Sequence, residues 1–183
     1  MKTIAVFCGS GTGNDPVYMR EAANLGKVIA AEGFALVYGG ATVGCMGAVA
    51  DATMEAGGTV IGVIPKKLAD IEIAHHRLTE LHVVDTMHER KAMMADLADA
   101  FVALPGGTGT LEEWFEVLTW AHVGYHAKPC ALLNVHNYYT PMLSLIDHMA
   151  EQGFVKEATK QLIIVENDPA GMIERLKRET VKA

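Results

Sequence analysis

The 183 residues predict an α/β fold, a parallel sheet with helices packed on both of its faces. Three observations predict it. Short apolar, β-branched runs alternate with longer stretches of helical periodicity. The short runs are apolar on both sides, as strands buried between two helical layers are. Glycine clusters follow strands, where ligand-binding loops of such sheets lie. In chain order, strands are expected at residues 3–8, 35–38, 60–64, 81–84, 100–104, 130–134 and 162–165. Helices are expected at 16–32, 46–56, 87–97, 111–122, 139–152 and 169–179.

The helix ends are signalled locally. Asp15-Pro16 and Asp168-Pro169 each set an N-cap before a proline at the first helical position. Gly33, Gly57-Gly58 and Gly153 follow helices as C-terminal stops. Thr86-Met87-His88-Glu89 and Thr110-Leu111-Glu112-Glu113 both read as capping boxes. No internal repeat, low-complexity tract or linker divides the chain, so residues 1–183 are expected to form one Rossmann-like, doubly wound nucleotide-binding domain.

Half the residues are apolar and a fifth are charged, an ordinary globular balance. The formal net charge of −7 gives no general attraction for nucleic acid or anionic membrane, so neither is expected as a partner. A bound phosphate must therefore be held by local donors. No apolar run approaches the roughly 20 residues that span a bilayer. The opening segment, Met1 to Cys8, is too short for a signal peptide and reads as a strand. Three cysteines, Cys8, Cys45 and Cys130, form an odd set without close pairing, which points to a reducing, cytoplasmic setting.

Three glycine-rich loops follow strands: Gly9-Ser10-Gly11-Thr12-Gly13, Gly39-Gly40-Ala41-Thr42-Val43-Gly44, and Pro105-Gly106-Gly107-Thr108-Gly109-Thr110. The first fails the dinucleotide fingerprint, because Asn14 stands at the third glycine and no acid ends the second strand. Ser10 remains either a phosphate donor or a turn residue. The third loop joins an apolar strand to a helix. Its backbone N–H groups can converge on an anion, and the helix dipole adds positive charge there. Glu113 fits two roles, as the far end of the capping box or as a carboxylate one turn from a bound phosphate. Arg90-Lys91 fit either a phosphate or carboxylate partner, or a solvated helix face. No metal is expected: His122 and His126 flank Gly124, and His75-His76 and His88 lack ligand spacing. Met87, Met93 and Met94 read as packing residues.

On these residues the chain resembles the LOG ("lonely guy") family of cytokinin riboside 5′-monophosphate phosphoribohydrolases. The signature PGGxGTxxE is matched by Pro105, Gly106, Gly107, Gly109, Thr110 and Glu113. Further matches are Phe7-Cys8-Gly9-Ser10, Tyr38-Gly39-Gly40, Met87-His88-x-Arg90-Lys91, Gly124-x-His126-x-Lys128-Pro129 and Tyr138-Tyr139. The resemblance implies hydrolysis of the N-glycosidic bond of a nucleoside 5′-monophosphate to free base and ribose 5-phosphate, without a cofactor. It implies Arg90 and Glu113 as the catalytic pair. It lines the nucleotide site with Glu72, Lys91, Gly107, Thr108, Gly109, Thr110, Leu111, Glu112 and Thr119, and it implies a homodimer with the site near the interface. Cys45 departs from the usual leucine, and Asn137 from the glycine common before the tyrosine pair. Relatives once carried a lysine decarboxylase label, but no pyridoxal phosphate site or Schiff-base lysine is assignable here. Two other functions remain open: a nucleotide-binding module without turnover, and a nucleosidase acting mainly on AMP or other monophosphates.

Overall fold

The β-branched runs form strands because each has two apolar faces, and a sheet between helical layers buries both. The computed structural model describes residues 1–69 and 74–181. Its strands are β1 (Thr3–Phe7), β2 (Ala35–Tyr38), β3 (Val60–Pro65), β4 (Glu80–Val84), β5 (Ala100–Ala103), β6 (Cys130–Leu133) and β7 (Ile163–Glu166). All pair in parallel, in the order β4-β3-β2-β1-β5-β6-β7. The winding reverses between β1 and β5, and such a reversal opens a crevice beyond the carboxyl ends of the two strands. The Rossmann-like, doubly wound sheet expected from the sequence is the one observed.

The helices are α1 (Val17–Ala31), α2 (Gly44–Glu55), α3 (Lys66–Ala69), α4 (Met87–Leu97), α5 (Thr108–His122), α6 (Thr140–Glu151), α7 (Glu157–Lys160) and α8 (Pro169–Thr180). Alternation along each strand sorts the core into two layers. Ile4, Val6 and Val102 pack with Leu25 and Ile29 of α1, Val49 of α2 and Leu176 of α8. Ala5, Phe7 and Phe101 pack on the other face with Met94 of α4 and Trp114 and Val117 of α5.

Most helix ends fall where the sequence places them. Asp168 accepts from Gly171 N at 2.9 Å, and Thr86 from Glu89 N at 3.1 Å. Asp15 accepts from Val17 N at 2.9 Å, although α1 begins one residue later than expected. Gly33, Gly57 and Gly153 adopt the left-handed conformation that closes a helix. The exception is α5. It begins at Thr108 with Gly107 as N-cap, three residues before the expected start at 111. Thr110 therefore lies inside the first turn, and no side chain caps this helix. The expected capping box of Thr110 and Glu113 does not form, which releases the Glu113 carboxylate for another partner. Helices α3 and α7 were not expected; at four residues each they are too short to show a period.

The connection from β6 to α6 contains two consecutive left-handed residues that are not glycine, His136 (φ 51°) and Asn137 (φ 61°). Asparagine tolerates this region better than most side chains, yet it still carries strain there. Asn137→Gly is expected to raise stability by up to about 1 kcal/mol, because strain relief exceeds the entropy glycine adds to the unfolded chain. Denaturant unfolding checks this; a loss of stability would show that the turn is not strained.

Candidate active site

The crevice between β1 and β5 is built by three glycine loops packed backbone on backbone. Gly9 N donates to Pro105 O, and Met46 N and Cys45 N donate to Gly9 O and Gly11 O, each at 3.3 Å. The second and third N–H groups of α2 are thus consumed by the loop after β1. Those of α5, from Thr108 to Thr110, have no carbonyl four residues back within the helix. An anion in the crevice meets the N-terminus of α5. A cavity of about 370 Å³ opens there, lined by Cys8, Gly9, Ser10, Met46, Leu68, Met87, Arg90, Glu112, Glu113 and the run from Gly107 to Thr110. A larger hollow of about 590 Å³ lies near the start of β6, around His126, Lys128 and Arg175, away from the glycine loops.

Glu113 is carried into the cavity wall by the packing of α5. The buried positions of this helix are Thr110, Glu113, Trp114, Val117 and Leu118, a stripe at helical spacing with a carboxylate inside it. Trp114 fixes the rotation of the helix by donating Nε1–H to Ala131 O at 3.1 Å. Arg90 occupies the equivalent stripe of α4 with Met94 and Ala95. The two charged groups meet across the layer, Arg90 Nη2 to Glu113 Oε1 at 3.3 Å, with the residues only 8% and 9% exposed. Gly39, at the end of β2, makes room for this: a Cβ there would collide with Arg90 Nη2 and sit 3.1 Å from Met46 Sδ.

Burial dominates the electrostatics of Glu113. It pushes the carboxyl up to about 7, against the pull of Arg90 and, more weakly, Lys91, while Glu112 and Glu116 push the same way as burial. Arg90 Nε is buried and has no hydrogen-bond partner among the described residues, while Nη1 reaches only Met87 Sδ at 3.4 Å. A buried guanidinium donor without an acceptor beside a cavity is poised for an oxygen on a ligand. No lysine lines this cavity among the described residues.

The expected site residues divide into two groups. Ser10, Gly107, Thr108, Gly109, Thr110, Glu112, Arg90 and Glu113 come together around the cavity. Gly106 lies just behind it, lining a neighbouring hollow with Tyr18 and Tyr138. Leu111 is half-buried and packs against the core beneath α5. Lys91 turns its ammonium to Glu112 at 2.5 Å and Glu116 at 3.0 Å, tying α4 to α5. Thr119 lies about two turns beyond Glu112 on α5, donates its hydroxyl to Phe115 O at 2.7 Å, and lines an apolar groove with Ile146, Met149 and Phe154 instead. Glu72 lies outside the described residues. Sequence reasoning did not single out Cys8, Gly39, Met46 or Leu68 as site residues; their signals were that Cys8 and Gly39 belong to motifs that carry the resemblance and that Gly39 opens a glycine-rich loop.

A family model described as "Possible lysine decarboxylase" matches residues 46–176. A protein of Rhodococcoides fascians named cytokinin riboside 5′-monophosphate phosphoribohydrolase is 54% identical over 96% of this chain and 89% of its own length. The chain belongs to this phosphoribohydrolase (LOG) family. Among further LOG-family relatives, the Arabidopsis thaliana protein LOG1 is 45% identical over 96% of this chain and 83% of its own. The solved structure of a molybdenum cofactor binding protein from Rippkaea orientalis has a TM-score of 0.75 at 25% identity, covering 97% of this chain and 96% of that one. The molybdenum cofactor carrier protein of Chlamydomonas reinhardtii also has a TM-score of 0.75, at 23% identity and with 98% of each chain covered. The LOG fold is thus shared with proteins named as carriers.

Proposed function

We propose that this LOG-family chain hydrolyses the N-glycosidic bond of nucleoside 5′-monophosphates, cytokinin nucleotides among them, to free base and ribose 5-phosphate. The observation that carries the reading is the buried Arg90–Glu113 pair at 3.3 Å, one helical turn from a helix N-terminus whose N–H groups lack intrahelical acceptors and suit a phosphate. In the reaction the C1′–N bond breaks and its electron pair leaves with the base. Water supplies the oxygen that bonds C1′, and its proton ends on the base. The sugar passes through a cation-like transition state, as in O-glycoside hydrolysis.

The phosphate loop anchors the 5′-phosphate through the N–H groups of Gly107 to Thr110, helped by the hydroxyls of Ser10, Thr108 and Thr110. Binding energy remote from the reacting carbon then holds that carbon beside Glu113. The ionised carboxylate stabilises the positive sugar and either orients water or attacks C1′. Arg90 keeps Glu113 oriented and offers Nε–H to a sugar oxygen. Met46, Leu68 and Met87 give the cavity an apolar side, which supports a base with an apolar substituent. Because Thr119 faces away from this cavity, we place it beside the site of a second subunit in a homodimer. Among the described residues no helix is long and apolar enough to cross a membrane, and the three cysteines are free; both fit a cytoplasmic enzyme.

Ionised Glu113 is the active form, so activity is lost as pH falls through its value of about 7. We expect kcat/KM, which reports the free protein, to show an acidic limb near that pH, above the substrate phosphate's own ionisation at about 6. Arg90→Gln should move the limb upward, since the guanidinium is the main influence holding the carboxyl down. A limb at the ordinary carboxylate value would contradict the buried placement of Glu113. The function itself is tested by incubating the protein with AMP, isopentenyladenosine 5′-monophosphate and the parent nucleosides, with chromatography for free base. Release from the monophosphates and not from the nucleosides supports the reading; nucleotide binding without release favours a binding module.

A further inference from the structure

The segment between β6 and α6 runs behind the phosphate loop and is tied once to the loop and once to Leu104, the residue that leads into it. Tyr139, buried, donates its hydroxyl to Leu104 O at 2.5 Å. Tyr138 donates to Gly106 O at 2.6 Å. The strap is itself held in place. Asn134 Oδ1 accepts from Tyr139 N at 2.7 Å, His136 Nδ1 lies 3.2 Å from Asp15 Oδ2, and the Tyr138 ring meets the Tyr18 ring edge-on at 5.6 Å. The consecutive left-handed residues His136 and Asn137 give the sharp turn that presents one hydroxyl to the loop and the other to the residue before it.

The two bonds differ in what they control. A trans peptide carries its C=O and the following N–H on opposite sides, and the described residues contain no cis peptide. Holding Gly106 O toward Tyr138 therefore turns the N–H of Gly107 the opposite way. Tyr138 lines the small hollow behind the loop, whereas Gly107 lines both that hollow and the active-site cavity. The peptide joining positions 106 and 107 lies between two glycines, the sequence in which a peptide flip meets least steric resistance. Such a peptide needs an external bond to fix its orientation. The Tyr139 bond has no such consequence, because the residue after Leu104 is Pro105, which has no N–H.

We infer that Tyr138 is a positioning residue for the phosphate loop: its hydroxyl, by holding the Gly106 carbonyl, aims the Gly107 N–H at the 5′-phosphate of the substrate. This rests on the reading that the loop binds that phosphate. Tyr138→Phe keeps the ring and its contacts and removes only the hydroxyl. Tyr139→Phe is the matched control, since it removes a hydroxyl from the same strap without freeing an N–H donor.

Ribose 5-phosphate is the probe, titrated by calorimetry into wild type, both tyrosine variants and Gly107→Leu. Tyr138→Phe should weaken its binding about tenfold, the scale of one hydrogen bond to a charged group. KM for AMP should rise by a similar factor with kcat changing less than about threefold, and the unfolding midpoint should stay near that of wild type. Tyr139→Phe should lower the unfolding midpoint and leave phosphate affinity largely unchanged. Wild-type affinity in Tyr138→Phe overturns the inference, as does a loss of affinity that only tracks a loss of stability. If wild type binds ribose 5-phosphate and Gly107→Leu binds it equally well, the phosphate-loop reading itself fails, and the inference with it. If a folded Tyr139→Phe loses as much affinity as Tyr138→Phe, the hydroxyl of Tyr138 has no special part in aiming the N–H. Should Tyr139→Phe not fold, the Tyr138→Phe titration decides alone.

Discussion

Glu113→Gln is expected to lower turnover about a thousandfold or more, the scale seen when an essential charged group of an active centre is replaced by a neutral one. Glutamine preserves the size of the side chain and leaves an oxygen to accept from Arg90. Only the charge and the proton-accepting capacity are lost. Nucleotide affinity should change little, because the phosphate loop and the cavity wall are intact. Near-normal turnover would remove Glu113 from the mechanism. The same variant has a signature in stability. The folded carboxyl titrates at about 7, above its unfolded value near 4.5, so the native state binds more protons between those values. Its contribution to stability is full below the lower value and is lost as pH rises through the upper one. In Glu113→Gln this part of the pH dependence disappears, which urea unfolding across that range measures.

The second large effect separates two adjacent glycines. A Cβ at Gly106 would collide with Thr110 Oγ1 and lie 2.7 Å from Gly9 N, and the latter is backbone that cannot move aside alone. Gly106→Ala therefore spreads the β1 and β5 loops apart. It should cost roughly 1–3 kcal/mol of stability as overpacking does, and it should abolish monophosphate binding. At Gly107 a Cβ meets nothing within 4 Å, and the backbone conformation (φ −85°) is open to any residue. Gly107→Leu should fold normally yet fill the phosphate subsite, weakening the 5′-monophosphate far more than the free nucleoside. Thermal unfolding together with paired binding titrations distinguishes the two. Equal effects on nucleotide and nucleoside would place the phosphate elsewhere.

The sheet and the glycine loop that opens α5 were legible in the sequence because both rest on local signals. Apolar runs between glycine clusters mark strands, and a glycine run that opens a helix marks an anion site. The start of α5 was misplaced because Thr110 and Glu113 satisfy the capping-box pattern, while the structure caps that helix at Gly107 and spends Glu113 on Arg90. Arg90 and Lys91 are adjacent cations that local periodicity cannot rank, although the resemblance favours Arg90. Packing ranks them: Arg90 falls in the buried stripe with Met94, and Lys91 meets Glu112 and Glu116 on the flank. Gly39 and Tyr138 act on groups far along the chain, Tyr138 across 32 positions, so their parts follow from strand order and not from any local pattern.

The account stands most directly on the products formed from isopentenyladenosine 5′-monophosphate. Free base and ribose 5-phosphate should appear in equal amounts with wild-type protein, and neither with Glu113→Gln. Base without ribose 5-phosphate, equal turnover of the unphosphorylated nucleoside, or undiminished products from the Glu113 variant would contradict it.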